Sequence, residues 1–280
     1  MAPQSQPAMP LQQRLKQLAQ TLQFTWFVGH LSVVLSVISY YSSYLTFNFY
    51  SPKATFSYRS AFFSAAVTYG IVVYKAFRAR IRSTGSFTLS PLTILSDENV
   101  QYLGIALVWL WSSQYSIAML PFGIYSIFHI ATYTRSILVP TFQAGSSNGT
   151  TSPPKSSTIS DSIGVFVKKY YDTSMRIVAS LEIALWCRIF ISVISFTKGS
   201  WILMIIYTTF LRARYSQSSF VQDQFRNYEA RIDSLVGAQS IPPTARQAWN
   251  AVRNGLRSFH DATSLNKFVG GVSSTTRKAA

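Results

Sequence analysis

Residues 99–134, NVQYLGIALVWLWSSQYSIAMLPFGIYSIFHIATYT, contain no Asp, Glu, Lys or Arg. One continuous helix over this stretch would be about 54 Å long at 1.5 Å per residue. A hydrocarbon core is only about 30 Å thick, and uncharged runs beyond about 18 residues read as membrane spans. The stretch is too long for one span, yet barely long enough for two spans and a turn. It predicts two short helices, about 100–113 and 118–138, meeting near Trp111-Ser112-Ser113-Gln114. Pro121 then falls in the first turn of the second helix, where proline is tolerated.

Outward from this block the pattern repeats. No charged residue occurs from Gln17 to Pro52 either. A first span is expected at about 24–45, with Trp26 near one end and Tyr40, Tyr41 and Tyr44 near the other, as aromatic rings favour the headgroup boundary. A second is expected at about 58–77, with Arg59 and Lys75 snorkelling to the interface and Arg78, Arg80 and Arg82 stopping it. A last hairpin is expected at 177–196 and 200–212, turning at Lys198-Gly199. Its weaker arms leave open whether it crosses fully. The fold class is therefore all-α and polytopic, with short membrane hairpins and cytosolic amphipathic helices.

Composition agrees. Of 280 residues, 48% are apolar and 12% charged, against roughly 25% charged in a soluble domain. That excludes a simple soluble enzyme and a disordered tail protein. The lone Cys187 excludes an intrachain disulfide framework. Residues 1–23 are polar, with a short amphipathic helix at 11–22 on Leu11, Leu15, Leu18 and Leu22. The first apolar run is too long and too late for a signal-peptide core, so it is expected to act as an uncleaved anchor. The organisation expected is an N-terminal segment 1–23, membrane helices 24–140, a Ser/Thr/Pro-rich linker and pre-membrane segment 141–176, a membrane hairpin 177–212 and a basic tail 213–280.

The formal net charge is +16. With six membrane helices and a cytosolic N-terminus, every Lys and Arg except Lys53, Arg59, Lys198 and the intra-span Arg188 falls on the cytosolic side. The positive-inside rule thus predicts both termini cytosolic. Four crossings with a final hairpin that only dips in give the same sidedness. This topology accounts for most of the positive charge without direct nucleic-acid binding. It also leaves the sequon Asn148-Gly149-Thr150 cytosolic and unmodified.

No HxxxH, CxxC or GxSxG occurs, and His30, His129 and His260 lie far apart in the sequence. No catalytic, cofactor-binding or metal-ligating residue is nominated, no cofactor is expected and the protein is not expected to be an enzyme. Three intramembrane polar residues stand out: His129, Glu182 and Arg188. Each has a structural reading, bonding to another helix or reaching the interface, beside a functional one on an ion path. Glu182 and Arg188 are six residues apart, about 240° around a helix, and so face different sides.

The tail is expected to carry amphipathic helices at about 218–236 and 243–260. In the second, Trp249, Val252, Leu256 and Phe259 share a face beside Arg246, Arg253 and Arg257. Such a helix suits an anionic membrane surface. The competing readings are packing on its own membrane domain, or a basic segment for nuclear transport receptors.

LPFGIYSIFHIATYTRSILVP, residues 120–140, and WILMIIYTTFLRARYSQSSFVQDQFRNYEARID, residues 201–233, resemble two characteristic blocks of the transmembrane protein 33 family. The resemblance covers about residues 20–236. Glu182 stands where family members often carry an acidic residue. The Ser/Thr-rich insert at 141–160 and the basic tail after 237 resemble the fungal branch more than the animal one. The resemblance implies endoplasmic reticulum and nuclear envelope membranes, reticulon-type partners, nuclear pore components and no established catalytic site. The function expected is to shape or sense curved membrane and to support nuclear pore complex assembly or distribution. A channel, transporter or ion-channel regulator of the endoplasmic reticulum is the alternative, with a membrane-embedded enzyme third.

Overall fold

The computed structural model describes residues 10–84, 94–143, 158–238 and 241–262. These fall into two units, one ending at Gln222 and one beginning at Asp223. Among the described residues the regular structure is helical.

In the first unit, α1 (Leu11–Ala19) is separate from α2 (Leu22–Leu45) rather than running to residue 22. Thr21 makes the break: its Oγ1 accepts from the Phe24 N–H at 3.1 Å and donates to the Leu18 carbonyl at 2.7 Å, capping one helix and ending the other. A turn with Phe47 at φ 59° leads into α3 (Pro52–Thr84), which begins on a proline suited to a first turn.

Helices α2 and α3 pack through small residues. A Cβ on Gly29 would lie 2.4 Å from Thr68 Cγ2. The Ser32 and Ser64 hydroxyls meet at 3.0 Å, and those of Ser39 and Ser57 at 2.9 Å. In lipid there is no hydrophobic drive between apolar helices, so close backbone approach and hydroxyl pairs must hold them. Tyr40, expected in an interfacial belt, is buried in this core, and Tyr41 donates to the Ser116 carbonyl at 2.9 Å.

The uncharged block folds as the anticipated hairpin, α4 (Glu98–Trp111) and α5 (Ser116–Tyr133). The Asp97 side chain caps α4 by accepting from Asn99 N–H at 2.9 Å. The Tyr58 hydroxyl pins the turn, accepting from Tyr115 N–H at 3.3 Å. Pro121 lies inside α5 rather than in its first turn, because the helix starts earlier than expected. The helix then widens to a π-turn over Thr134–Leu138 and continues as α6 (Val139–Gln143). Pro140, which has no N–H to give an i→i−4 bond, lies two residues past this wider turn.

α7 (Thr158–Ile194) begins well before residue 177. The linker and pre-membrane reading of 141–176 therefore ends in helix, and residues 144–157 lie outside the described residues. Phe166 stacks on Phe128 of α5 at 6.1 Å, and Tyr171 meets the same ring at 5.5 Å. These contacts hold the early turns of α7 on the bundle. Gly199, at φ 80°, opens the turn to α8 (Ser200–Gln217), and only glycine adopts that conformation without strain.

Four helical stretches among the described residues are long and apolar enough to cross a membrane: Leu22–Leu45, Pro52–Ser83, Ser116–Gln143 and Thr158–Ile194. They are both arms of the first expected pair and the longer arm of each later hairpin. α4 has 14 residues, about 21 Å at 1.5 Å each, which is short of a hydrocarbon core. α8 carries Arg212 and Arg214 in its last turns.

The second unit holds most of α9 (Ser219–Val236) and all of α10 (Pro243–Ala262).

Candidate functional site

Five helices of the first unit meet around one carboxylate. Glu182 on α7 is buried at 1% exposure. The Tyr102 hydroxyl, on α4, donates to its Oε1 at 2.6 Å. Arg214 Nε, on α8, lies 3.4 Å from Oε1 and 3.5 Å from Oε2. Tyr207 of α8 donates to the Glu182 backbone carbonyl at 3.1 Å.

Arg214 is itself fully engaged. Nη1 pairs with Glu98 at the start of α4, Nη2 donates to the Tyr125 hydroxyl of α5 at 3.3 Å, and the guanidinium lies 5.2 Å from the Tyr102 ring centroid. Tyr69 of α3 stacks on that ring at 5.3 Å. A cavity of about 10 Å³ is lined by Glu182, Tyr102, Tyr207 and their apolar neighbours. That is room for at most one water.

The arrangement is a polar clamp. Glu182, Arg214 and the Tyr102 and Tyr125 hydroxyls satisfy one another where unpaired groups would be costly, with Tyr207 on the Glu182 backbone carbonyl and the half-exposed Glu98 pairing the far side of the guanidinium. Glu182 was singled out from sequence, and its partner is on another helix. Arg214 was not, because it reads as the start of the basic tail. Its signal was periodicity: Tyr207, Phe210, Leu211 and Arg214 lie on one helical face and all four are buried.

Arg188 faces away from Glu182, as the helical angle requires. Its Nη1 donates to Ser192 Oγ at 2.6 Å and its guanidinium lies 5.7 Å from the Tyr115 ring. His129 sits 4.5 Å from the His30 ring and 5.0 Å from Trp26, so two histidines remote in sequence are neighbours. His30 Nδ1 bonds Ser126 Oγ at 2.9 Å. No third His, Cys, Asp or Glu joins the pair to form a metal-holding group among the described residues.

Arg59, partly buried, bonds the end of α4. Its Nη1 donates to the Trp109 carbonyl at 3.1 Å and to that of Leu110. It places a cation on the unpaired carbonyls at the C-terminus of α4, where the helix dipole favours one.

In the second unit, the residues expected to bind a membrane surface divide into two sets. Val252 and Leu256 are 53% and 55% exposed. The polar groups of Arg246, Trp249, Arg253 and Arg257 are bonded within the unit to α9 and its C-terminal carbonyls. Phe259 lies on α10, and its side chain is outside the described residues.

The two units define a polytopic α-helical membrane protein with a clamped helix bundle and a helical hairpin. The chain belongs to the Transmembrane protein 33/Nucleoporin POM33 family, whose model matches residues 5–260. It is 52% identical to Nucleoporin POM33 of Chaetomium thermophilum over 97% of each chain. It is 31% identical to Tetra-spanning protein 1 of Schizosaccharomyces pombe over 92% of this chain and 91% of that one. It is 29% identical to the pore membrane protein of 33 kDa of Saccharomyces cerevisiae over 88% and 86%. No solved structure matches the chain.

Proposed function

We propose that this protein is a non-enzymatic membrane protein of the endoplasmic reticulum and nuclear envelope. In this role it supports nuclear pore complexes and senses or stabilises curved membrane through α10. The observation that carries the curvature reading is the exposed apolar pair Val252 and Leu256, one helical turn apart beside a row of arginines. An amphipathic helix of this kind lies in the headgroup region with its apolar face down. The pore assignment draws support from relatives named for the nuclear pore.

Both termini lie in the cytosol on this proposal, which puts the basic tail against anionic lipid. The short α4 and α8 leave unequal cross-sections in the two leaflets, which favours bending. Anionic lipid, reticulon-type membrane proteins and nuclear pore components are the partners proposed, with nuclear transport receptors as readers of the basic segment. Direct nucleic-acid binding is not part of the role.

The test is binding of the full chain, in nanodiscs, to anionic liposomes of graded diameter. Tighter binding to small liposomes, lost in Val252→Ser/Leu256→Ser, supports the proposal. Equal binding at all diameters overturns the curvature role.

The channel or transporter alternative would run ions past Glu182, Arg188 and His129. The saturated contacts and the 10 Å³ cavity at Glu182 favour a structural clamp over a path. Ion flux in vesicles that disappears in Glu182→Gln would reverse that preference.

A further inference from the structure

Glu229 and Asp233 stand four residues apart on α9 and therefore share a face, where like charges repel. Arg253 of α10 lies between them. Its Nε is 2.5 Å from Glu229 Oε1 and its Nη2 is 3.0 Å from Asp233 Oδ2. Arg257 Nη2 reaches the same Glu229 oxygen at 3.1 Å. Trp249 Nε1 donates to Asp233 Oδ1 at 2.6 Å. Arg246 donates to the Val236 and Ala238 carbonyls at 3.1 and 2.9 Å, where α9 ends. All three arginines and the indole N–H with which α10 would meet a membrane surface are thus occupied inside the hairpin.

We infer that α9 is an internal competitor of anionic lipid for the arginines of α10. In the closed hairpin, Glu229 and Asp233 hold Arg253 and Arg257. On a sufficiently anionic bilayer, lipid phosphates and carboxylates take their place, and α10 separates from α9 to lie on the surface. This regulation rests on the surface-binding role proposed for α10.

The exchange is chemically even. Carboxylate and phosphate oxygens both accept the guanidinium fork. Arg253, Glu229 and Asp233 each keep about a third of their side-chain surface exposed. Pairs open to solvent are weak and screened by salt. An anionic surface offers each arginine an attraction of similar size. Neither state dominates on its own, so surface charge density decides. The exposed Val252 and Leu256 stripe alone gives a weak, charge-independent affinity. The closed hairpin therefore withholds α10 from neutral membranes and commits it to anionic ones.

The test uses the full chain with Cys187→Ser in nanodiscs. Spin labels at Ser234→Cys and Asn254→Cys report the α9–α10 distance, and a separate label at Val252→Cys reports bilayer depth. In phosphatidylcholine the distance is expected to be single and short. As phosphatidylserine is added, a longer distance should appear together with burial of position 252. In Glu229→Gln/Asp233→Asn the longer distance should appear at about half the phosphatidylserine fraction, or less, needed by the native sequence.

A distance that never changes while position 252 sinks into the bilayer overturns the competition and leaves surface binding standing. Opening of the Glu229→Gln/Asp233→Asn variant at the native phosphatidylserine fraction also overturns it. No depth change at position 252 in any variant or composition overturns the surface-binding role itself.

Discussion

Arg214 of α8 holds Glu182 of α7 at 3.4 Å, with side-chain exposures of 5% and 2%. This pair, backed by the Tyr207 bond to the Glu182 carbonyl and by Trp186 Nε1 donating to Thr208 at 2.9 Å, ties the two arms of the last hairpin together. α8 does not need to span the bilayer to stay in place, because the clamp fastens it to α7, α4 and α5.

Breaking one side of such a pair is worse than removing both. Arg214→Met leaves Glu182 buried without its cation and is expected to cost about 3 kcal/mol or more. Glu182→Leu combined with Arg214→Met should recover at least half of that loss, since no buried charge is left uncompensated at residue 182. Unfolding midpoints in mixed detergent measure both. A double variant less stable than Arg214→Met alone would contradict the clamp.

The clearance at Gly29 yields a second expectation. A Cβ there would overlap Thr68 Cγ2 at 2.4 Å, so Gly29→Val must push α2 from α3. Overpacking of this kind costs about 1–3 kcal/mol. Thr68→Gly in the same chain removes the obstructing atom and should restore part of the stability, measured by thermal unfolding in detergent. Gly29→Val with unchanged stability would mean that the helices do not approach this closely.

What could be read from the sequence follows from what each signal depends on. The hairpin at 99–134 was legible because charge exclusion by lipid acts on every residue of a span. The first turns of α7 were not, because residues 158–176 hold as helix through contacts of Phe166 and Tyr171 with a ring on α5, and sequence proximity carries no trace of that. Glu182 was conspicuous as a carboxylate in an apolar run. Arg214 was hidden, since an arginine just after an apolar segment looks like a topology signal whether it faces water or a buried carboxylate. The charged residues of α10 formed a visible row, but the acidic face of α9 that answers them became apparent only when the hairpin placed Glu229 and Asp233 against it.

Arg59 supplies a third expectation. Its guanidinium meets the Trp109 and Leu110 carbonyls at the end of α4, a helix too short to gain much from propagation alone. Arg59→Leu should destabilise the protein by about 1–2 kcal/mol. The loss should concentrate at the α4–α5 turn, seen as faster amide exchange over residues 109–115. Exchange unchanged there would mean that the carbonyls are satisfied without Arg59.

Sidedness gives the last expectation, and it depends on charge distribution alone. The Asn148-Gly149-Thr150 sequon lies outside the described residues, between α6 and α7. The basic residues Arg135, Lys168, Lys169 and Arg176 flank this connection, and lysine and arginine mark the cytosolic side of short loops. Glycosylation acts in the lumen, so Asn148 should remain unmodified. The chain from microsomes should show the same mass before and after glycosidase, and Asn148→Gln should not change it. Protease added outside sealed microsomes should remove α10. A glycosidase-sensitive shift abolished by Asn148→Gln would place this connection in the lumen and overturn the topology, and an α10 spared by the protease would put its arginines away from the cytosolic anionic surface.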